Sequence, residues 1–398
     1  MKKKYIISVI ILFVVAGCEG EKQTDSQSDG FVTVDVTKKY PNKELILQDF
    51  MDVEYIPLET NEEFVTTANT LAISNDVIIF RNSQRAAPDI YVFDRTGKGL
   101  RRINRHGQGP EEYNNVQGIA LDEDNDEIFV NNTFSKKVIA YDLFGNFKRS
   151  FKQDKDYSYY LMYNFDRDNL ICHDLSSEFQ DTGLKKNHFS IVSKQDGSAK
   201  EIQISYKEKK SLYLIETDKN GDVIRENKVW NRALIPCRDS WILTESSSDT
   251  IFNYSSNHDI TPIIVRTPSV QSMNPEVFLF PGVLTDRYYF MQTVKKIPDP
   301  EAENEFPRTD LLYDKQENAI FECVVYNDDF TNKKPMSLVY EVPMFAFGSN
   351  DIAIVKRLEA HEIVEAYERG ELKGKLKDIV AKLDEDDNPV MMLVKHKK

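Results

Sequence analysis

The sequence predicts an all-β chain folded as a six-bladed β-propeller of four-stranded antiparallel blades. Two observations carry that prediction. Ile90-Tyr91-Val92-Phe93-Asp94-Arg95-Thr96-Gly97 and Val138-Ile139-Ala140-Tyr141-Asp142-Leu143-Phe144-Gly145 share one pattern, with Asp94 and Asp142 standing 48 residues apart. In each, four mostly apolar residues meet an Asp-x-x-Gly turn, and a second run follows, to Ile103 and to Phe151. Short β-runs repeating at this period are the sequence signature of a propeller, in which each blade is one supersecondary unit. The second observation is a count: runs of this kind can be grouped into six blades along the chain.

The first 17 residues read as a targeting signal. Lys2, Lys3 and Lys4 form a basic start and Tyr5 to Val15 an apolar stretch. That stretch is shorter than the roughly 20 residues of a spanning helix. Val15-Ala16-Gly17-Cys18 places small residues before a cysteine, and the box resembles the one cut by the lipoprotein signal peptidase. The resemblance implies acylation of the Cys18 thiol and cleavage before it. One acyl chain binds a bilayer only marginally, so a diacylglyceryl-type anchor is what would hold firmly. An ordinary secretory signal or a short anchor helix are the other readings of this segment.

Cleavage removes three lysines and takes the formal charge from −14 to −17. So acidic a chain is a poor nucleic-acid binder, because phosphate contacts need clustered Lys and Arg. It is also repelled by anionic headgroups, so acyl chains must supply membrane attachment. Cys172, Cys237 and Cys323 are widely spaced and lack CxxC spacing, which reads as small buried side chains. Residues 18–30 hold no aliphatic or aromatic side chain after Cys18 and read as a disordered tether. The propeller then occupies 31–398, with a monomer expected.

Val53 to Glu59 is a short alternating run ending near Pro57, with no hairpin partner nearby. It is expected to join the last blade and close the ring, since closure removes edges that invite aggregation. Blade 1 is expected over Thr70–Asn104, blade 2 over Val116–Lys152, and blade 3, with weaker signals, over Tyr160–Ile204. Leu212 to Trp230 reads as an extra hairpin around Asn220-Gly221, either a decoration or part of a displaced blade. Blade 4 follows over Ala233–Arg266 and blade 5 over Val277–Tyr326, with 295–307 an insertion between the second and third strands of blade 5. Blade 6 would combine Leu338–Glu341, Ile352–Leu358, Val390–Lys395 and the early strand. Apolar positions from Ile363 to Leu383 recur at helical spacing, so 360–383 reads as a helical insert split at Gly370. It either packs on one rim or docks a partner.

The segment Gly107-Gln108-Gly109-Pro110-Glu111-Glu112-Tyr113 between the two repeats resembles an NHL-type linker. Together with the Val53–Glu59 run and the ending Asn388-Pro389-Val390-Met391-Met392-Leu393-Val394-Lys395, it makes the chain similar to the six-bladed β-propeller lipoproteins of Bacteroides-type bacteria. Glu111 and His396 depart from that pattern. The resemblance implies a propeller and a cell-envelope location, the outer membrane, with the leaflet and the facing side open. It implies no particular reaction, because propellers serve binding and catalysis alike.

The linker should cross from the outer strand of one blade to the inner strand of the next, near the channel mouth. Arg105, His106, Gln108, Glu112 and Tyr113, with Asn131, therefore form the candidate ligand set. The same glycines and polar groups equally suit a purely structural turn. Six-bladed lactonases and phosphotriesterases hold calcium in the channel. The corresponding candidates here would be Asp122, Asn131, Asn132, Asp174 and Asp249, oxygen ligands of the kind calcium takes. The six histidines show no HxxxH or HExxH spacing, and Gly-x-Ser-x-Gly and GxxxxGK[ST] motifs are absent. Two functions fit: a lipid-anchored binder of a ligand or protein partner with no chemistry and no cofactor, or a channel hydrolase or lyase acting on a sugar lactone or glycan, with or without calcium.

Overall fold

Short apolar runs separated by tight turns pair with their immediate neighbours in the chain, and the sheets of this protein are built almost wholly in that way. A computed structural model describes residues 30–82, 89–153, 157–174, 188–299, 306–339 and 351–397. The signal, Cys18 and nearly all of the 18–30 tether lie outside those residues.

Five successive four-stranded antiparallel sheets follow the chain. With strands named a to d in chain order, blade 1 is Asn69–Ile73, Val77–Arg81, Ile90–Asp94 and Gly99–Ile103. Blade 2 is Gly118–Asp122, Glu127–Asn132, Lys137–Asp142 and Phe147–Lys152. Blade 3 is Tyr159–Asn164, Asn169–Asp174, Phe189–Ser193 and Ala199–Ile202. Blade 4 is Leu234–Cys237, Ser240–Thr244, Thr250–Ser255 and Ile260–Thr267. Blade 5 is Val277–Leu284, Tyr288–Lys295, Arg308–Asp314 and Ala319–Tyr326. The a strands of blades 1, 2 and 3 lie against one another, so a is the inner strand.

Blade 6 joins both ends of the chain. Ile352–Leu358 pairs with Val390–His396, which pairs with Met51–Pro57 in antiparallel register from Val390↔Pro57 to His396↔Met51. The early strand closes the ring as expected. The strand expected at Leu338–Glu341 is not seen in its described part: Leu338 and Val339 lie outside any strand, and the Leu338 carbonyl accepts instead from Val283 N at 2.9 Å. Residues 340 and 341 lie outside the described residues.

Apolar faces meet in six clusters, one for each junction. Ile79 and Val92 of blade 1 pack with Ile119 and Tyr141 of blade 2, and Phe129 of blade 2 with Cys172 of blade 3. Ile171 and Phe189 of blade 3 meet Trp241 of blade 4, and Ile242 of blade 4 meets Met291 of blade 5. Phe290 of blade 5 meets Met392 of blade 6, and Met391 of blade 6 meets Phe80 of blade 1. The last contact makes the ring continuous. Each sheet buries both faces this way, which a lone four-stranded sheet cannot do.

The repeated Asp-x-x-Gly turn has a physical reason. Asp142 Oδ1 accepts from Phe144 N and Asn146 N, each at 2.9 Å, and Asp94 holds Thr96 and Lys98 likewise. Gly97 and Gly145 take φ of +89° and +84°, which L side chains resist. They also face the preceding blade closely: a Cβ on Gly97 would stand 2.0 Å from Pro57 O, and one on Gly145 2.7 Å from Ile103 Cγ2. The motif therefore sets both the turn and the spacing between blades.

Residues 31–50 are more than an approach to the early strand. Val32–Asp35 adds a fifth, parallel strand to the outer edge of blade 4, and Asn42–Ile46 does the same for blade 5. The one-turn helix Leu47–Phe50 then leads into Met51–Pro57. The chain's start thus forms a belt over three consecutive blades and covers two edges that would otherwise be open. Among the described strands, Tyr213–Thr217 and Val223–Lys228 pair only with each other, so the extra hairpin is a decoration. Helices Ala360–Glu368 and Gly374–Val380 flank Gly370, and Ile363, Ala366, Leu376 and Val380 pack into the blade 5–6 core. Cys172, Cys237 and Cys323 are unbridged, a point their spacing left open; Cys172 and Cys323 are buried and Cys237 is partly so.

Candidate functional site

The linker between blades 1 and 2 spends most of its polar groups on itself. Tyr113 N donates to Arg105 O and Gly107 N to Tyr113 O, both at 3.0 Å. Glu112 Oε2 accepts from Gly109 N at 2.8 Å, and Lys137 Nζ donates to Pro110 O at 2.9 Å. Tyr113 is fully buried; its hydroxyl donates to Ile103 O, and burial raises its pKa to about 12. Arg105 Nε donates to Gly145 O at 2.8 Å, on the c–d turn of blade 2. Asn131 Nδ2 donates to Tyr159 O at 2.6 Å, and its Oδ1 accepts from Gln153 at 2.7 Å. Arg105, Glu112, Tyr113 and Asn131 therefore hold backbone in place. Arg105, His106 and Gln108 are exposed, and of these His106 and Gln108 have side chains not tied to the turn.

Of the calcium candidates, Asp122 lies on the opposite face of the ring from Asn131, Asn132, Asp174 and Asp249, and each carboxylate is engaged with a protein donor. Asp122 ends the a strand of blade 2, where its carboxylate is buried against Lys194 Nζ at 2.5 Å and accepts from Asn125 Nδ2 at 2.9 Å. Asn131 and Asn132 close the neighbouring b strand, at the opposite end of the sheet. Asp174 Oδ1 accepts from Ser158 N at 2.5 Å and Asp249 Oδ1 from Val270 N at 2.7 Å. Among the described residues no three His, Cys, Asp or Glu side chains are grouped to hold a metal ion.

Three of these, Asn131, Asn132 and Asp174, belong to a larger set of polar strand ends on one face. In blades 1 to 4 the b strand runs through apolar residues and ends in polar ones: Arg81-Asn82, Asn131-Asn132, His173-Asp174 and Thr244-Glu245. Antiparallel pairing puts all four ends on the face that carries the b–c turns and the linkers between blades. Most of these side chains are buried, so each needs a partner. Asn132 is 1% exposed, and neither its amide nitrogen nor its oxygen has one among the described residues. His173 is 4% exposed and its ring Nδ1 has no partner among them; the ring lies 5.1 Å from Phe189 and 6.1 Å from His188. Burial, then the charges of His188, Lys209 and Lys228, hold His173 well below the ordinary histidine pKa, so it is neutral. Asn114 Oδ1, Asn227 Nδ2 and Thr244 Oγ1 on the same face are likewise buried without a partner among the described residues.

The neighbouring group is satisfied. His188 Nδ1 donates to Asp174 O at 3.1 Å, and its Nε2 lies 3.0 Å from Lys209 Nζ and 3.3 Å from Glu245 Oε2. Lys209 also donates to Glu245 Oε1 at 2.9 Å. Burial alone would raise the Glu245 pKa, but Lys209 and His188 outweigh it and keep the carboxylate charged. Lys209 belongs to the insert that ends in the extra hairpin. Leu212 and Val229 at the hairpin base pack on Phe278 and Phe280 in the inner strand of blade 5, so this insert spans the face from blade 3 to blade 5. The polar ends of the b strands are visible in the sequence only when the second strands of successive blades are written beneath one another.

A family profile described as a six-bladed β-propeller matches residues 22–342. Among solved structures, a protein assigned as exported from Bacteroides fragilis superposes with a TM-score of 0.56 at 16% identity, covering 92% of this chain and 100% of its own. A member of the DUF4221 family from Bacteroides vulgatus gives 0.46 at 12% identity, covering 88% and 98%. Virginiamycin B lyase from Staphylococcus aureus gives 0.35 at 10% identity, covering 87% and 100%. The first shares the fold, and at these identities nothing more is carried over. No curated protein matches the sequence.

Proposed function

The chain belongs to this family of six-bladed β-propellers, and from that premise we propose that it is an exported, lipid-anchored binding protein whose ligand lies on the b–c face. The observation behind the binding reading is the gathering of buried, unpartnered polar groups there, above all His173 and Asn132. A buried donor or acceptor without a partner costs about 1–3 kcal/mol, a cost that a ligand's own polar groups can offset. Export is supported by the basic and apolar start of the chain. The Val15-Ala16-Gly17-Cys18 box supports acylation at Cys18. Gly30 leads directly into the strand on the outer edge of blade 4. A tether from Cys18 would reach at most about 40 Å and attach at the rim, leaving both faces of the ring accessible.

The test is a thermal-shift screen of the mature protein against sugars, organic acids and amino acids. A ligand that raises Tm in the native protein and fails to do so in Asn132→Leu and His173→Leu carries the proposal. A ligand whose shift survives both substitutions places binding elsewhere. Channel hydrolysis or elimination is the second reading, supported by the position of the His173 imidazole, whose buried Nδ1 has no partner among the described residues, although its lowered pKa makes it a weaker base than a free histidine. Turnover of that ligand by the native protein and not by His173→Gln would establish catalysis. Neither reading draws on a metal, so Tm in millimolar calcium and in chelator should agree within about 1 °C.

A further inference from the structure

The opposite face carries a cleft that the b–c reading does not use. It opens where the a–b turns of blades 4 and 5 meet the last strand of blade 6 and the belt, and its volume is about 500 Å³. That is the size of a small-molecule site. Arg238, Asp286, His396 and Lys397 line it, with Phe50 and Tyr288 in the wall.

These groups differ in how firmly they are committed. Arg287 at the same cleft is bound to the buried Asp314, Nε to Oδ1 at 3.0 Å and Nη2 to Oδ2 at 2.8 Å, so it is structural. Arg238 pairs with Asp286 at 2.6 Å, but that carboxylate is 79% exposed. Such a surface pair is weak and readily exchanged. Among the described residues Lys397 Nζ donates to a neutral acceptor, Asp49 O, at 3.1 Å, and to no carboxylate. His396 Nδ1 is buried and has no partner among the described residues. Burial, then the charge of Arg238, hold His396 below the ordinary histidine pKa, against the pull of Asp286 and Asp351. Lys315 adds a further cation beside Arg238 and Asp286. The lining is mixed in charge: Arg238 and Lys397, with Lys315 beside them, face the carboxylates of Asp49 and Asp286, against an aromatic wall.

We propose that this cleft binds a small cyclic carboxylate, its carboxylate on Arg238, His396 and Lys397 and its ring against Phe50 and Tyr288. A planar carboxylate can take two parallel hydrogen bonds from the guanidinium of Arg238, a stronger arrangement than the solvent-exposed pair it replaces. It would also supply the acceptor that His396 lacks. The site is independent of the b–c face, and either reading can fail alone.

The test is a titration of histidine-labelled protein followed by NMR at His396. Glucuronate and benzoate are the cyclic carboxylates, and acetate, glucose and inorganic phosphate the controls. Either cyclic carboxylate should shift the His396 resonance saturably and raise its pKa, opposing the effect of Arg238. Acetate should bind more weakly, and glucose should leave the resonance unmoved. Arg238→Ala should weaken binding about tenfold with the His173 resonance unchanged, which shows that the fold is intact. His396→Gln, followed by calorimetry, should also weaken it. The proposal is overturned if neither cyclic carboxylate produces a saturable shift, if phosphate binds as well as they do, or if Arg238→Ala leaves the affinity unaltered.

Discussion

Gly97 carries two constraints at once, a φ of +89° and a contact that leaves no room for a Cβ beside Pro57 O. Gly221 in the extra hairpin has the same φ and open space around it. Gly221→Ala should therefore cost only backbone strain, about 1 kcal/mol, and Gly97→Ala about 3 kcal/mol or more, measured by urea unfolding. Equal losses would mean that the turn sets no distance between blades. Asp314 is a second single-residue determinant. Burial would raise its pKa, but hydrogen bonds from Arg287 and Lys43 prevail and depress it. A depressed carboxylate contributes stability above its unfolded pKa of about 3.8, lost as pH falls through the folded value. Unfolding free energy should hold steady from pH 7 to about 5 and then decline, and Asp314→Asn should flatten that decline. The turn aspartates and glycines were legible in the sequence because each acts within four residues. His173 was not, because one polar residue after an apolar run carries no signal until the blades are aligned.

Among elements, the belt offers the clearest prediction. Val34 is wholly buried beside the outer strand of blade 4, with Val32 one step before it. Val34→Asp should destabilise the protein by about 3 kcal/mol or more, because it buries an unpaired carboxylate. Removing residues 31–46 should lower Tm and still leave a folded ring, whereas removal extending through Pro57 should abolish cooperative unfolding. Circular dichroism melts distinguish these outcomes. Hairpins announce themselves through a turn between adjacent runs, so blades 1 to 5 and the Asn220-Gly221 hairpin could be read directly. The belt strands pair in parallel with segments more than 220 residues away, and no local turn marks such a pairing. Asn42–Ile46 also lacks an alternating pattern. The linker left two readings open in sequence, a ligand set or a structural turn. Arg105, Glu112 and Tyr113 look like a ligand set in sequence, but a chain folding back on itself must first satisfy its own backbone.

At the scale of the molecule, the ring closes through Met51–Pro57 and Val390–His396, and each of six junctions has its own apolar core. Such a closed frame holds its two faces rigidly and can present different chemistry on each. The b–c face gathers unpartnered amide and imidazole groups, and the other face gathers Arg238, His396 and Lys397. If the chain is tethered at its blade 4 rim through Cys18, Cys18→Ala should move the protein from the membrane to the soluble fraction with its Tm unchanged. Retention in the membrane would remove the anchor from the account.

The b–c face is tested most directly by urea unfolding of three substitutions made side by side. Asn131→Leu leaves Tyr159 O and Gln153 without their bonds and should cost about 1–3 kcal/mol. Asn132→Leu and His173→Leu remove groups that have no partner among the described residues, and each should be neutral or stabilising by up to about 1 kcal/mol. If both lose as much stability as Asn131→Leu, those side chains are part of the framework and the b–c face is not a ligand site.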